Sequence, residues 1–156
     1  MIVSYFFNAV RNTIRLSLIA VLCIMTFDAR AASFIAQCPQ LRATKKAPDE
    51  FYLHKDPLPA DSENTAAGKT LYSGKAGNVA CVACHGTKGR GGGVLAGQFD
   101  PPPRNFSCGQ TFNSIPDGQL FWIIRFGSPG TSMPAHKEFN DKQIWQLILY
   151  LRQFAN

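Results

Sequence analysis

The sequence predicts an all-α protein, and two patterns of apolar residues carry this prediction. Near the C-terminus, apolar residues recur at spacings of three and four, which indicates a helix with one face on a core; they are Ile144, Leu147, Ile148, Leu151 and Phe154. The segment from Pro116 to Phe126 is apolar almost all round, so it needs burial on most of its faces. The sequence contains no alternating pattern typical of strands.

The first 31 residues predict a signal peptide. Arg11 and Arg15 precede an apolar run from Leu16 to Phe27, and residues 29–31 supply the small residues that a signal peptidase requires. Because a membrane span needs about 20 apolar residues, this run is short for an anchor. We therefore expect export to the periplasm with no membrane span after cleavage, and an uncleaved anchor is the alternative.

Residues 32–61 predict an extended arm, because four prolines interrupt a stretch without periodicity. A helical domain is expected over residues 62–156, with Ala67, Leu71 and Tyr72 as core candidates in its first helix. Ser114 is the expected cap of the third helix and Asn140 that of the last. The predicted helices are, in order, about 64–73, 79–85, 116–126 and 141–154.

The charge of the chain gives little information about partners. The formal net charge is +6, but the basic residues are scattered and Lys45-Lys46 is the only adjacent pair. We therefore expect no nucleic-acid partner. A mild positive field could steer an acidic redox partner toward the protein, and a solvated surface without such a role is the alternative.

Residues 81–85 form the sequence C-x-x-C-H, which is the attachment pattern of c-type haem. Two thiols separated by one helical turn can form thioethers with the two vinyl groups of one porphyrin. The next residue, His85, then directs its imidazole at the iron. A zinc site would need a second Cys/His pair, and a thioredoxin-like redox pair would need a βαβ context. We therefore expect one haem c, bound through Cys81 and Cys84, with His85 as a metal ligand.

Two further cysteines follow the predicted signal peptide, Cys38 and Cys108. Unpaired thiols are a liability in an oxidising compartment, so each is expected to have a chemical use. A disulfide between them would tie the arm to the helical domain. Sequence spacing alone does not establish that the geometry permits this bond.

Met133 is the candidate for the second axial ligand of the iron. It is the only methionine after residue 31, and it lies in a polar loop between two apolar helices rather than on an apolar helix face. A thioether ligand raises the reduction potential. The rivals are His136 and His54, both of which are expected to be exposed, and an open sixth position.

The stretch from Ser62 to Phe154 resembles a class I cytochrome c. The resemblance rests on an N-terminal helix, the C-x-x-C-H motif, a long loop, and Met133-Pro134 before a C-terminal helix. Residues 101–106 and 117–134 also resemble bacterial periplasmic members. The family implies helices packed around one covalently attached haem, and residues 32–61 form an irregular extension without a counterpart in it.

The resemblance also implies how the helices cross and what holds the proximal histidine. In the family, the first and last helices cross at a small residue facing an aromatic one, which corresponds here to Gly68 and Tyr72 against Leu147 and Tyr150. A backbone carbonyl after the haem motif accepts the hydrogen bond from the proximal histidine.

Five positions in the long loop and the third helix follow from the same resemblance. The carbonyl that accepts from the histidine would be that of Val94, where family members often have proline. Arg104 and Asn105 are candidate donors to a haem propionate, with a solvated surface charge as the alternative for Arg104. Trp122 and Phe126 are expected to line the haem cavity.

These observations predict a one-electron carrier that exchanges electrons with redox partner proteins, rather than an enzyme. One alternative is a haem subunit docked to an oxidoreductase, with the arm as the docking segment. The other is a haem enzyme or sensor with an open sixth position. The identity of the partners does not follow from the sequence.

Overall fold

The computed structural model describes residues 38–77 and 80–155. The predicted signal peptide, the start of the arm at residues 32–37 and the start of the second predicted helix at Val79 lie outside the described residues. No described residue is in a strand, so the predicted all-α class is confirmed. The helices are α1 (Asp49–Tyr52), α2 (Ser62–Tyr72), α3 (Val82–His85), α4 (Gly109–Phe112), α5 (Asp117–Phe126) and α6 (Asp141–Arg152), with 3-10 turns at Ala96–Gln98 and Gln153–Ala155.

Helices α2 and α6 cross at Gly68, as the resemblance implied. A Cβ atom at Gly68 would lie 2.0 Å from the Gln146 carbonyl oxygen and 2.9 Å from the Tyr150 Cβ, so a larger residue would force the backbones apart. The Tyr72 and Tyr150 rings meet edge to face at 5.4 Å beside this crossing. The side chain of Gln146, rather than that of Leu147, extends across the crossing and donates to Asn64 Oδ1 at 3.0 Å.

The ends of the helices follow local capping chemistry. Asn140 and Gln143 form a reciprocal capping box at the start of α6, which confirms the predicted cap. Ser114 does not cap α5, and this prediction was wrong. Pro116 is the N-cap residue, and Ser114 lies too far before it to reach the first free N–H groups, so its hydroxyl donates to the Thr111 carbonyl oxygen at 3.2 Å instead.

Helix α5 is buried on most of its faces, as the sequence predicted, because the consecutive residues 118–121 are all buried. Trp122 is half-buried and Phe126 is 52% exposed. The outer face packs on the arm, where the Phe51 ring lies 5.4 Å from that of Phe126. Gly118 permits this contact, because a Cβ atom there would lie 1.9 Å from the Phe51 carbonyl oxygen.

The described part of the arm is therefore ordered against the helical domain, and it includes a short helix that the sequence did not predict, α1. Gln119 of α5 fastens it through both atoms of its amide group, since its Oε1 accepts from Ala47 N at 2.7 Å and its Nε2 donates to the Lys45 carbonyl at 3.1 Å. A disulfide joins Cys38 to Cys108, with Cα atoms 5.5 Å apart. The proposed pairing of these cysteines is confirmed.

We expect Gly68→Ala to lower the free energy of unfolding by about 1–3 kcal/mol, because the new methyl group meets backbone that cannot rotate away. Chemical denaturation measures this change. Alanine normally stabilises a helix relative to glycine by about 0.5–1 kcal/mol, so a decrease in the free energy of unfolding would report the steric conflict rather than helix propensity. Ala66→Gly, at an exposed position of α2, is the control for helix propensity. Unchanged or raised stability in Gly68→Ala would contradict the close approach of the α2 and α6 backbones at Gly68.

We expect the double variant Cys38→Ala/Cys108→Ala to be less stable by about 2–5 kcal/mol, because the disulfide closes a loop between residues 70 positions apart. Denaturation with and without a reducing agent measures the effect. The reducing agent should weaken the unmodified protein and leave the variant unchanged. Equal stability of the two proteins without reductant would show that the disulfide contributes nothing.

Candidate haem-binding site

A cavity of about 890 Å³ lies between the helices and the arm. Its walls come from α2, α3, α5, α6, the described arm and the loop before α6, and they include Tyr72, Cys81, Cys84, His85, Phe106, Leu120, Ile123, Ile124, Met133, Leu147 and Leu151. Most of these side chains are apolar. The four residues predicted to hold the haem and its iron all line this cavity.

The attachment motif forms a single helical turn at one wall of the cavity. Cys81 precedes α3, and its carbonyl oxygen accepts from His85 N at 2.9 Å, so Cys81, Cys84 and His85 are fixed within one turn. Tyr72 ties this turn to α2 through a 2.6 Å hydrogen bond from its hydroxyl to the Gly86 carbonyl. The thiols are unpaired, and burial raises the pKa of Cys81 to about 11 and also raises that of Cys84. Both are therefore protonated near neutral pH.

His85 is held as a neutral imidazole with a defined tautomer. Its Nδ1 lies 3.0 Å from the Arg104 carbonyl oxygen, which can only accept, so Nδ1 carries the proton and Nε2 keeps its lone pair. Burial lowers the pKa of His85 to about 4, so the ring is uncharged near neutral pH. The Phe106 ring stacks on it with centroids 4.4 Å apart. A neutral ring with a free nitrogen is what metal ligation requires.

The predicted acceptor for His85, the carbonyl of Val94, was wrong. Val94 is 90% exposed, and Arg104 supplies the carbonyl oxygen instead. The glycine-rich segment folds back on α3, because Gly91 N donates to the His85 carbonyl at 2.9 Å and Gly93 N to the Cys84 carbonyl at 3.0 Å. This segment therefore satisfies the last carbonyls of α3 and carries Val94 away from the imidazole.

Met133 lies half-buried in the loop between α5 and α6. The loop is fixed by backbone contacts, since Ser128 N donates to the Met133 carbonyl at 3.2 Å and Met133 N donates to Thr131 Oγ1 at 3.2 Å. Gly127 allows the sharp return with a φ of 83°, which side-chain-bearing residues rarely adopt. The sulfur-bearing side chain is thereby kept at the same cavity as His85.

His136 was predicted to be an exposed loop residue, and that prediction was wrong. It is only 6% exposed and lines the cavity. Its Nδ1 lies 3.0 Å from Glu138 Oε1, its ring stacks on Phe139 at 5.4 Å, and its N donates to the Ile124 carbonyl at 3.0 Å. These contacts turn the loop inward at His136. His54, in contrast, is exposed as predicted and does not line the cavity.

Trp122 and Phe126 were predicted to line the cavity, and they do not. Leu120, Ile123 and Ile124 form the wall that α5 contributes. Successive helix residues are about 100° apart, so residues 122 and 126 lie on the face opposite to 120 and 124. That opposite face packs on the arm.

The segment after the glycine-rich loop connects the cavity to the arm. Arg104 lines the cavity, and its guanidinium donates to the Gln40 carbonyl and to Thr44 Oγ1, each at 3.1 Å. Asn105 is buried outside the cavity lining, and its Oδ1 accepts from Ser107. The Gln40 amide group bonds Pro103 O and Asn105 N at 3.1 and 3.0 Å. No local pattern in the sequence indicates these arm contacts.

The residues present fit a haem. The cavity volume lies within the range of about 300–1,000 Å³ typical of small-molecule and cofactor sites. The donor set comprises two protonated thiols, one free imidazole nitrogen and one thioether. Within residues 38–77 and 80–155, no group of three or more His, Cys, Asp or Glu side chains could hold a metal ion by itself. None of the helices in these ranges has the length and hydrophobicity to cross a bilayer.

Comparisons with known proteins agree with a haem site. The family described as Cytochrome c matches residues 65–155. No curated protein matches the sequence significantly. Among solved structures, a chain of the reducing HAO-like protein complex of Kuenenia stuttgartiensis is similar, with a TM-score of 0.56 and 27% identity over 75% of this chain and 53% of that one. The present chain thus spans about half the length of that neighbour. Because the family match covers more than half of the residues, the chain belongs to the cytochrome c family.

Proposed function

We propose that this protein is a monohaem one-electron carrier, with haem c attached to Cys81 and Cys84 and its iron ligated by His85 and Met133. Membership of the cytochrome c family implies haem-based electron transfer. The observation that carries the finer proposal is the convergence of all four side chains on one cavity. The bound haem supplies an iron that gains or loses one electron.

Each of these four residues has a defined role at the haem. The thiols of Cys81 and Cys84 anchor the haem through thioethers. His85 offers Nε2 as a ligand, because the Arg104 carbonyl fixes the proton on Nδ1. A hydrogen bond of this kind orients a ligating imidazole and raises its basicity. Met133 would supply the second protein ligand, and a thioether there would favour the reduced iron.

The walls of the cavity support electron transfer rather than substrate chemistry. Apolar side chains from α5 and α6 exclude water, so the charge change at the iron causes little solvent rearrangement. Filling both axial positions with protein side chains leaves no position for a substrate. We therefore retain the expectation of a carrier that is not an enzyme. An open sixth position would make the protein a haem enzyme or sensor instead.

The proposal also includes the location of the protein, which is the periplasm. Export to the periplasm is supported by the predicted signal peptide over residues 1–31 and by the disulfide between Cys38 and Cys108, since disulfides persist in oxidising compartments. N-terminal sequencing of the protein from a periplasmic fraction tests this. A start near residue 32 is expected, whereas a start at Met1 in the membrane fraction would indicate an uncleaved anchor.

A second candidate function is that of a haem subunit in an oxidoreductase complex. The similar chain from Kuenenia stuttgartiensis belongs to a protein complex, and this observation favours the idea. The described arm, however, packs on its own domain through Gln119 and the disulfide, so it is not a free docking segment. Copurification at a fixed stoichiometry with a larger partner would support the second candidate over a free carrier.

Covalent attachment is tested by replacing both motif cysteines. We expect the unmodified protein to retain haem after acid denaturation and to carry the mass of one haem, whereas Cys81→Ala/Cys84→Ala should lose all of the denaturation-resistant haem. The matched control is Cys38→Ala/Cys108→Ala, which removes two cysteines and leaves the motif intact. Equal haem retention in the two double variants would contradict the attachment.

Axial ligation is tested by comparing Met133→Ala with His136→Ala. Methionine ligation gives the ferric protein a weak far-red band. We expect Met133→Ala to lose this band and to have a lower reduction potential, because a thioether favours ferrous iron. His136→Ala should keep the band. Loss of the native ligand spectrum in His136→Ala, with Met133→Ala unchanged, would assign the ligand to His136.

A further inference from the structure

Two arginine side chains that line the cavity, Arg42 and Arg104, have no acidic partner in the part of the chain that the structure describes. Arg42 donates to the Pro102 carbonyl, and Arg104 donates to the Gln40 carbonyl and to Thr44 Oγ1, so every acceptor is neutral. Among the described residues, no carboxylate lies within 4.0 Å of either guanidinium.

Two other arginines of the fold, in contrast, have acidic partners. Arg125 is paired with Asp141, and Arg152 with Asp117, so the fold supplies counter-ions to arginines elsewhere. At the cavity it supplies none to either guanidinium among the described residues.

This arrangement is unfavourable for the protein alone. Burial lowers the pKa of Arg42, and burial together with the charge of Arg42 lowers the pKa of Arg104. Partly desolvated charges of the same sign are normally offset by an anion. A guanidinium has five N–H donors, and Arg42 and Arg104 use only some of them on the neutral acceptors above. Donors remain for a ligand in the cavity.

We propose that Arg42 of the arm joins Arg104 in binding the propionate carboxylates of the haem, so that the arm supplies part of the haem site. This inference rests on the proposed function, since it requires haem in the cavity. The planar fork of a guanidinium matches a carboxylate and binds it through two parallel hydrogen bonds. Arg104 was a candidate from the sequence, whereas Arg42 belongs to the arm, outside the region that matches the family.

The arm is therefore part of the haem site rather than an appendage. The disulfide at Cys38 and the contacts of Gln119 with Lys45 and Ala47 fix the arm on both sides of Arg42. They hold a positive charge beside the cavity. A positive charge there favours addition of an electron to the haem, so Arg42 tunes the reduction potential as well as binding the cofactor.

The test compares Arg42→Gln and Arg42→Lys with Lys45→Gln, which removes the same charge from an exposed position of the same arm that does not line the cavity. Covalent haem content is measured first. Resonance Raman spectroscopy then reports the propionate bending band of each isolated protein, and a redox titration reports the equilibrium constant for reduction.

We expect Arg42→Gln to shift the propionate band and to lower the equilibrium constant for reduction several-fold. A tenfold change in this constant corresponds to about 59 mV for one electron. Arg42→Lys keeps the charge and should recover most of the potential but not the band position. Lys45→Gln should resemble the unmodified protein in both measurements.

Two results would overturn the proposal while leaving the electron-carrier function intact. In the first, Arg42→Gln carries haem but matches Lys45→Gln in band and potential. In the second, Arg42→Gln differs only in a slower, salt-dependent reaction with an acidic redox protein, which would assign the carboxylate to a partner. Absence of covalent haem from the unmodified protein would instead refute the proposed function itself.

Discussion

The hydrogen bond from His85 Nδ1 to the Arg104 carbonyl oxygen links the attachment helix to the rest of the molecule. It fixes which imidazole nitrogen is free, and the carbonyl is itself held in place by other contacts. The Arg104 side chain bonds the arm, and the backbone N of the next residue, Asn105, donates to Gln40 Oε1. Phe106 N donates to the Gly89 carbonyl at 2.7 Å. The orientation of one imidazole therefore depends on contacts across 60 or more residues of sequence.

This dependence gives the arm a role in the chemistry of the site. A disulfide at Cys38 and Cys108 fastens the arm next to the segment that carries Arg104. The arm thus stabilises the acceptor of the His85 proton and closes one wall of the cavity. In a small domain with a large cofactor cavity, less of the interior is available for side-chain packing, and a covalent cross-link offsets part of that loss.

Most features that the sequence predicted are encoded by neighbouring residues, and the two exceptions are the disulfide between Cys38 and Cys108 and the helix crossing at Gly68, which the family resemblance implied. The turn that joins Cys81 to His85 follows from the spacing of the motif, and the last helix follows from its periodicity and its cap. Apart from the cap assigned to Ser114, the errors involve long-range contacts or helix phase. Val94 was misassigned because the glycine-rich segment folds back on α3, and Trp122 because the arm covers the outer face of α5. The burial of His136 depends on a turn whose direction no local pattern specifies.

The proposed function depends most on ligation of one haem iron by His85 and Met133. The most direct measurement is NMR of the reduced protein with the methionine methyl carbon labelled. Met133 is the only methionine beyond the predicted signal peptide, so its methyl group should give a single resonance shifted far upfield by the porphyrin ring current. A labelled methyl resonance at the ordinary position for methionine would show that Met133 is not a ligand of the iron.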